Sequence, residues 1–431
     1  MGEAAVCRRP RKRWATTALI VAASVAGGGA ALAQQAPLLA GETGLAVPDA
    51  GQRLTRLDAT FDVSYDSNVA RASKEVAALR GLSVSDETFE PQINAELARP
   101  IGRETIFLSG HFGYLDYARN TVLNSEDIKV IGGAEGRVAF CDSSLAGTYS
   151  RAQTDLLYYG LVTPGGTPAS GLRNDFQDVG INFAAACGHT TGFAPTVTVT
   201  QNWYTNSSVF REPLNADTTT VNGGLAYRNH VLGTLNLFGQ YTYTNYPDRI
   251  LVGPAGPANL VYQITGAGVS YTRMVGSRLS GTASLSYVST QPNLGLKGYS
   301  GINYGFDMAY ALTQRIGASF RFGRTTLPSN AFNASYILSD VYSVAVSYKM
   351  GPRINWKAGV GRVRDQYGGL IAGSGGGFTD DTYDNVYGSV DYVLGRHFTI
   401  GLATSYAHRD ANLLGLGYSE NRIVASFRAA L

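Results

Sequence analysis

The sequence predicts an all-β protein, a transmembrane antiparallel up-and-down β-barrel of about 18 strands, with roughly 16 strands as the alternative. Three observations lead to this prediction. The N-terminus reads as a secretion signal, the rest of the chain alternates apolar and polar residues, and short connections alternate with long ones. Their combination is typical of barrels that cross a membrane with strands.

Residues 1–33 have the three parts of a cleaved signal peptide. Five Lys or Arg residues between Arg8 and Arg13 precede an apolar run, Trp14–Ala26, and small residues end in Ala31-Leu32-Ala33. The apolar run is shorter than the roughly 20 residues that a membrane-spanning helix needs. We therefore expect cleavage after Ala33, the alternative being an uncleaved helical anchor.

The signal segment also explains the net charge. It holds five of the 35 basic residues and one of the 32 acidic ones, so the mature chain has 30 basic and 31 acidic residues and a net charge of −1. The formal charge of +3 therefore belongs to the export signal. A nucleic-acid binder normally carries a basic excess on its binding domain, so nucleic acid is not expected as a partner.

The composition favours strands over helices. The chain has 26 Tyr and 52 Gly but only 4 Met and 16% charged residues. Tyr is common in strands and at membrane interfaces, whereas abundant Gly disfavours long helices. No segment after the signal has the unbroken apolar length of a membrane-spanning helix.

Strand alternation begins at Leu57. Between Leu57 and Asp66 the odd-numbered residues are apolar and the even-numbered ones are acidic or hydroxylated. Because successive side chains of a strand face opposite sides, one face is apolar and the other polar. Segments 279–287 and 302–310 repeat the pattern, and residues 423–431 carry it to the C-terminus. Residues 34–56 show little alternation and are predicted to be a flexible periplasmic lead-in to a barrel spanning residues 57–431.

The connections alternate in length along the chain. Longer loops rich in Gly, Pro, Asn and Ser, such as Thr163–Ser170, Gly253–Asn259 and Gly368–Gly377, separate eight short turns. The short turns lie near Arg99–Arg103, Cys141–Ser144, Cys187–Gly192, Arg228–Gly233, Arg273–Arg278, Thr313–Arg315, Gly351–Arg353 and Gly395–His397. They recur roughly every 40 residues, the length of a membrane-spanning hairpin, and an even strand count places both termini in the periplasm. The soluble alternative is a β-propeller, but its blades have four short strands per repeat.

Two cysteines remain after Cys7 leaves with the signal peptide. Cys141 and Cys187 lie at predicted short turns on the same rim. In an oxidising compartment we expect a disulfide, with free thiols as the alternative. Counting hairpins places the cysteines on strands four and six, about 10 Å apart, so a bond of roughly 6 Å span requires the turns to lean together.

No catalytic motif is present. The sequence lacks G-x-S-x-G, Walker A, H-E-x-x-H and C-x-x-C patterns. His111 lies at an inward strand position near Ser109, but the sequence places no third group that would orient the imidazole. We predict that the protein is not an enzyme and that it needs no cofactor or metal.

The inward face of the predicted barrel carries charges of both signs, which suit a hydrated channel and tune its selectivity. The alternative is that these charges pair and stiffen the wall. The inward candidates are Asp62, Glu90, Glu96, Glu135, Arg137, Arg228, Arg321, Lys357 and Asp391. Phe238 and Tyr387 also point inward, where an aromatic ring can stack on a sugar. The aromatic residues predicted at the membrane interfaces are Tyr114, Trp203, Tyr227, Tyr241, Tyr243, Tyr287, Tyr348, Trp356 and Tyr392.

A resemblance appears after the first predicted strand. Tyr65-Asp66-Ser67-Asn68-Val69, followed by Ala70-Arg71, resembles the opening of the β-barrel porins found in bacterial exopolysaccharide gene clusters. The hairpin layout and length of the chain are similar to that family as well. The resemblance implies an outer-membrane location, with outer-membrane lipid, polysaccharide and periplasmic export components as partners.

Two hypotheses follow for the function. The barrel is either a channel for surface polysaccharide, sugars or small solutes, or a plugged barrel whose outer loops hold polymer or a partner. A conductance measurement separates them.

Overall fold

Eighteen strands form one closed antiparallel sheet in the computed structural model, which describes residues 53–154, 156, 172–188, 191–253, 256–329, 334–369, 379–412 and 416–431. The strands are β1 Leu54–Asp66, β2 Asp86–Ile101, β3 Glu104–Tyr117, β4 Ser125–Val138, β5 Cys141–Gln153, β6 Asp175–Cys187, β7 Gly192–Asn206, β8 Ala216–Asn229, β9 Gly233–Gly253, β10 Gly256–Val275, β11 Leu279–Pro292, β12 Ser300–Ala311, β13 Ile316–Pro328, β14 Tyr336–Met350, β15 Ile354–Gly368, β16 Asp380–Leu394, β17 Phe398–Ala411 and β18 Tyr418–Ala430. The helices that are complete within these ranges are α1 Lys74–Leu79 and the two 3₁₀ turns Thr121–Leu123 and Glu212–Leu214, all of which lie between strands. No helix in these ranges is long and apolar enough to cross a membrane.

The barrel closes through its first and last strands. Phe61 of β1 lies opposite Pro91 of β2 on one side and opposite Phe427 of β18 on the other. The prediction of an 18-stranded up-and-down barrel is therefore confirmed, and the 16-stranded alternative is wrong. β1 begins at Leu54, three residues before the predicted start of the barrel at residue 57. The predicted signal peptide lies outside the described residues, as does most of the lead-in.

The two ends of the barrel differ as predicted. Eight turns of two to four residues lie at one end, which we call the turn end, and β1 begins and β18 finishes there. The other end, the loop end, carries the nine remaining connections. The predicted loop Thr163–Ser170 and most of Gly368–Gly377 lie outside the described residues.

One predicted loop is instead a strand pair. The Gly-rich and Pro-rich segment Gly253–Asn259 is predicted to be a loop, but its described residues, 253 and 256–259, belong to β9 and β10, strands of 21 and 20 residues. The pairing shifts between Asn259 and Leu260, so that residues 247–249 of β9 bulge out of the ladder. Pro247 lies in this bulge, where its missing N–H costs no ladder hydrogen bond.

Large apolar side chains cover the outside of the barrel. Outward positions of each strand are exposed, as with Phe61, Ile93, Val360 and Leu402, whereas the polar residues between them face the interior. Soluble monomeric proteins rarely expose a continuous apolar surface of this kind. The exterior is therefore built to contact lipid.

The disulfide differs in geometry from the expectation. The structure joins Cys141 to Cys187, but the two residues lie on the neighbouring strands β5 and β6 and are direct register partners, with Cα atoms 3.9 Å apart. The expected separation of two strand spacings is wrong, because the turn before Cys141 consists of Ala139 and Phe140 and Cys141 already belongs to β5. No leaning of turns is needed.

The disulfide can be tested by gel mobility. We expect the unfolded protein to migrate faster without reductant than with it, because the crosslink keeps the denatured chain more compact. The Cys141→Ser variant should migrate identically in both conditions. Identical mobility of the wild-type chain with and without reductant would contradict the crosslink.

Candidate functional site

Uncharged polar side chains line the inner wall from β7 to β11. Their hydroxyl and amide groups pair across neighbouring strands, as in Thr218 with Thr244 at 3.1 Å and Thr272 with Thr282 at 3.0 Å between Oγ1 atoms. Arg228 adds charge near the turn end of this sector. A wall of this kind offers hydrogen-bond donors and acceptors to a solute without selecting for its charge.

Charged side chains line the wall from β1 to β4. The predicted residues Asp62 and Glu90 face each other across the β1 and β2 register, and Gln92 Nε2 donates to Asp62 Oδ2 at 3.1 Å. On β4, Lys129 Nζ lies 3.0 Å from Asp127 Oδ2. The lumen therefore has a charged sector at β1–β4 and a largely uncharged sector at β7–β11.

A His and two carboxylates in this charged sector have the composition of a metal site. One ligand atom from each of Glu90, His111 and Asp127 lies within 4.8 Å of the others. Lys129 already places an ammonium group against Asp127, and that group supplies the positive charge that a cation would bring. We therefore interpret these residues as a charge network and assign no metal to them.

His111 is not placed for nucleophilic catalysis with Ser109. Its Nδ1 lies 2.7 Å from Asn94 Oδ1, and its Nε2 lies 3.6 Å from Asp127 Oδ2. Both ring nitrogens are thus engaged away from Ser109. A general base must be within hydrogen-bond reach of the hydroxyl that it activates.

The other predicted inward residues lie on the inner face but are not gathered into one site. Arg321 pairs with Asp307 at 2.5 Å, and Arg137 lies 4.0 Å from Asp142. Glu96 lies opposite Arg56 in the strand register, Glu135 opposite Ser144, and Asp391 opposite Gly401. For Arg321 and Arg137, the ion pairs support the alternative that the inward charges pair and stiffen the wall.

Lys357 and Tyr387 contribute to one cavity on the inner wall. The cavity has a volume of about 510 Å³, and Ser319, Ala345 and Ser347 form part of its lining. A Cβ atom on Gly359 would lie 2.6 Å from the Tyr387 ring, so the ring rests against the bare backbone of β15. A stacking face, an ammonium group and small hydroxylated neighbours are thus combined in one place.

Packed side chains narrow the lumen at its loop end. Tyr246 is only 1% exposed and packs with Tyr204 and Leu260, while Leu296 from the β11–β12 loop covers this group. Arg249 Nη1 donates to the backbone oxygen of Ser329 at 3.0 Å and so joins β9 to the β13–β14 loop. The loops therefore fold over the inner wall rather than leaving it open.

The β1–β2 loop closes part of the same end. Val69, Ala77 and Leu82 form an apolar cluster with Leu123 and Leu172 from the next two loops. The helix α1 in this loop begins after Ser73, whose Oγ accepts a hydrogen bond from the Val76 N–H at 3.4 Å. The loop is thus a folded element of the mouth.

Arg71 holds this loop against the barrel and was missed by sequence reasoning. Its guanidinium pairs with Asp66 at 3.4 Å and with Glu420 of β18, and it lies over the Tyr418 ring. The backbone N–H of Ser67 donates a hydrogen bond to the backbone oxygen of Asn421 at 2.9 Å. The motif that carried the family resemblance therefore ties the loop to the seam between first and last strands.

Two lumen-facing arginines were also missed. Arg428 and Arg422 of β18 are register partners of Thr60 and Asp66, on the inner face. The alternation of residues 423–431, continued back by one residue, was enough to predict both arginines, because the residues between the apolar positions of a strand face the other way.

The closed sheet, apolar exterior and polar interior define a transmembrane β-barrel of the outer-membrane type. No family model matches the sequence, and no curated protein sequence matches it.

Three solved structures are similar to this chain over most of its length. Pseudomonas aeruginosa OccK2 (OpdF) has a TM-score of 0.48 and 11% identity, with 88% of this chain and 98% of that chain covered. The outer membrane protein opdK of the same organism has a TM-score of 0.45 and 11% identity, covering 88% and 99%. The FrpB iron transporter of Neisseria meningitidis has a TM-score of 0.49 and 7% identity, covering 83% and 62%. The assignment of the fold rests on the strand pairing of this chain itself.

Proposed function

We propose that the protein is an outer-membrane channel for small polyhydroxylated solutes such as sugars. The observation that carries the proposal is the neutral inner wall of β7–β11 together with the cavity at Lys357 and Tyr387. Hydroxyl and amide groups exchange hydrogen bonds with a sugar as water does, and an aromatic face stacks on its apolar side. Lys357 adds a positive charge that favours electronegative groups of the solute.

The covered loop end supports small solutes over a polymer strand. Polysaccharide export is the function implied by the motif at Tyr65–Arg71, and it requires the loops around Tyr246 and α1 to move aside. Passage of a monosaccharide or disaccharide requires less movement. Export therefore stands as the second candidate, supported by the resemblance.

Liposome swelling tests the channel and its path. Vesicles containing the protein should swell in iso-osmotic neutral sugars, faster for a pentose than for a trisaccharide. Ser319→Trp fills the cavity from the inner wall and should slow swelling severalfold, whereas Phe320→Trp, at its outward neighbour outside the cavity lining, should not. No swelling above empty vesicles in any sugar would contradict the proposal.

We also propose that the turn end faces the periplasm. Leu79 of α1, at the loop end, is 78% exposed, and Val231, in the β8–β9 turn, is 74% exposed. A membrane-impermeant maleimide should label Leu79→Cys in intact cells and label Val231→Cys only after permeabilisation. The opposite labelling pattern would reverse the orientation.

A further inference from the structure

The lipid-facing surface of β15 changes from apolar to charged near the loop end. Its outward positions run Trp356, Ala358, Val360, Arg362 and Arg364. A charge facing lipid costs about 2–4 kcal/mol at the bilayer midplane but only about 0–1 kcal/mol near the interface. The hydrocarbon layer therefore ends between Val360 and Arg362, and the two arginines lie among lipid headgroups.

Both arginines are held in place while remaining accessible. Arg362 forms a two-point ion pair with Asp384, at 2.6 Å from Nε and 2.8 Å from Nη2, and Arg364 Nη2 lies 3.3 Å from Asp380. Their side chains are 59% and 52% exposed. A guanidinium has five N–H donors, so pairing with one carboxylate leaves donors for a second acceptor.

A polar cavity of about 340 Å³ surrounds these two guanidinium groups. Its lining residues are Arg362, Arg364, Asp380, Thr382, Asp410 and Asn412. The lining holds two arginines and two aspartates, and Asp384 beside Arg362 adds a third carboxylate, so the cavity does not favour a bare anion. It favours a ligand with both phosphate and hydroxyl groups, because arginine recognises phosphate and carboxylates accept hydrogen bonds from sugar hydroxyls.

We propose that this cavity binds the phosphorylated sugar headgroup of an outer-leaflet glycolipid. The headgroup phosphate contacts Arg362 and Arg364, its sugar hydroxyls contact Asp380 and Asp410, and its acyl chains lie along the apolar band that includes Val360. The inference rests on the proposed orientation, which the labelling of Leu79→Cys tests separately.

Native mass spectrometry of the full chain in detergent tests the proposal. The probes are diphosphorylated lipid A and the same lipid with its phosphates removed. We expect the wild-type protein to bind the phosphorylated lipid at least about tenfold more tightly, a preference that charge-assisted hydrogen bonds supply. The double variant Arg362→Gln/Arg364→Gln should lose that preference. Arg321→Gln, which removes a lumen-facing arginine that is also paired with a carboxylate, should retain it.

Two results would overturn the proposal. One is equal affinity of the wild-type protein for the two lipids, a measurement that needs no variant. The other is an unchanged phosphate preference in the double variant, whose folding is checked by its heat-dependent gel mobility. A failed swelling assay leaves this test unaffected, because lipid binding on the exterior does not depend on solute passage.

Discussion

Replacing Arg71 with alanine is expected to destabilise the folded β1–β2 loop by about 3–5 kcal/mol, the usual cost of removing one partner from a buried ion pair. Asp66 and Glu420 are both buried, and their carboxylates would be left without the guanidinium. Hydrogen exchange of residues 67–85 should then accelerate by a factor of about 10² or more.

Arg321→Ala is the matched control for this prediction. Arg321 also pairs with an aspartate at short distance, but both side chains are about half exposed, 51% and 55%. Such a pair contributes about 0–1 kcal/mol. Exchange rates of residues 67–85 that were the same in Arg71→Ala and in the wild-type protein would show that the loop is not held by this pair.

Leu402→Arg is expected to lower the free energy of unfolding of the barrel in a bilayer, that is, its stability, by about 2–4 kcal/mol. Leu402 is 52% exposed on the outward face of β17, between Phe398 near the turn end and Tyr406 near the loop end. An arginine there must lie in hydrocarbon. Urea titration of the barrel in phospholipid vesicles measures the change.

The neighbouring residue provides the control. Ala403 faces the interior between Ser389 and Val424, so Ala403→Arg should destabilise the barrel much less than Leu402→Arg. Equal effects at the two positions would contradict the assignment of the two faces of the barrel.

The strands and their faces could be predicted from the sequence because they depend on local alternation. Each strand pairs with its chain neighbours, so the order of strands follows once the turns are found. The boundaries of the turns were predicted less accurately than the strands. Ala139 adopts a φ of 55°, a conformation usually marked by Gly or Asn, and the absence of such a marker displaced the predicted turn onto Cys141.

The mouth of the lumen could not be predicted, because its contacts join residues far apart in the chain. Arg71 meets Glu420, and Arg249 meets Ser329. Likewise, Gly and Pro between Gly253 and Asn259 indicated a loop, while the pairing of β9 with β10 supplied hydrogen bonds for most of the segment. Local composition does not predict such long-range strand pairing.

Single-channel recording in planar bilayers tests the central claim, that a hydrated path runs through this barrel. The purified, folded protein should produce discrete conductance steps, and Lys357→Glu should shift the reversal potential in a salt gradient toward cation selectivity, because it reverses a charge on the inner wall. Folded protein that inserts but conducts no ions at any voltage would contradict the account and leave a plugged barrel in its place.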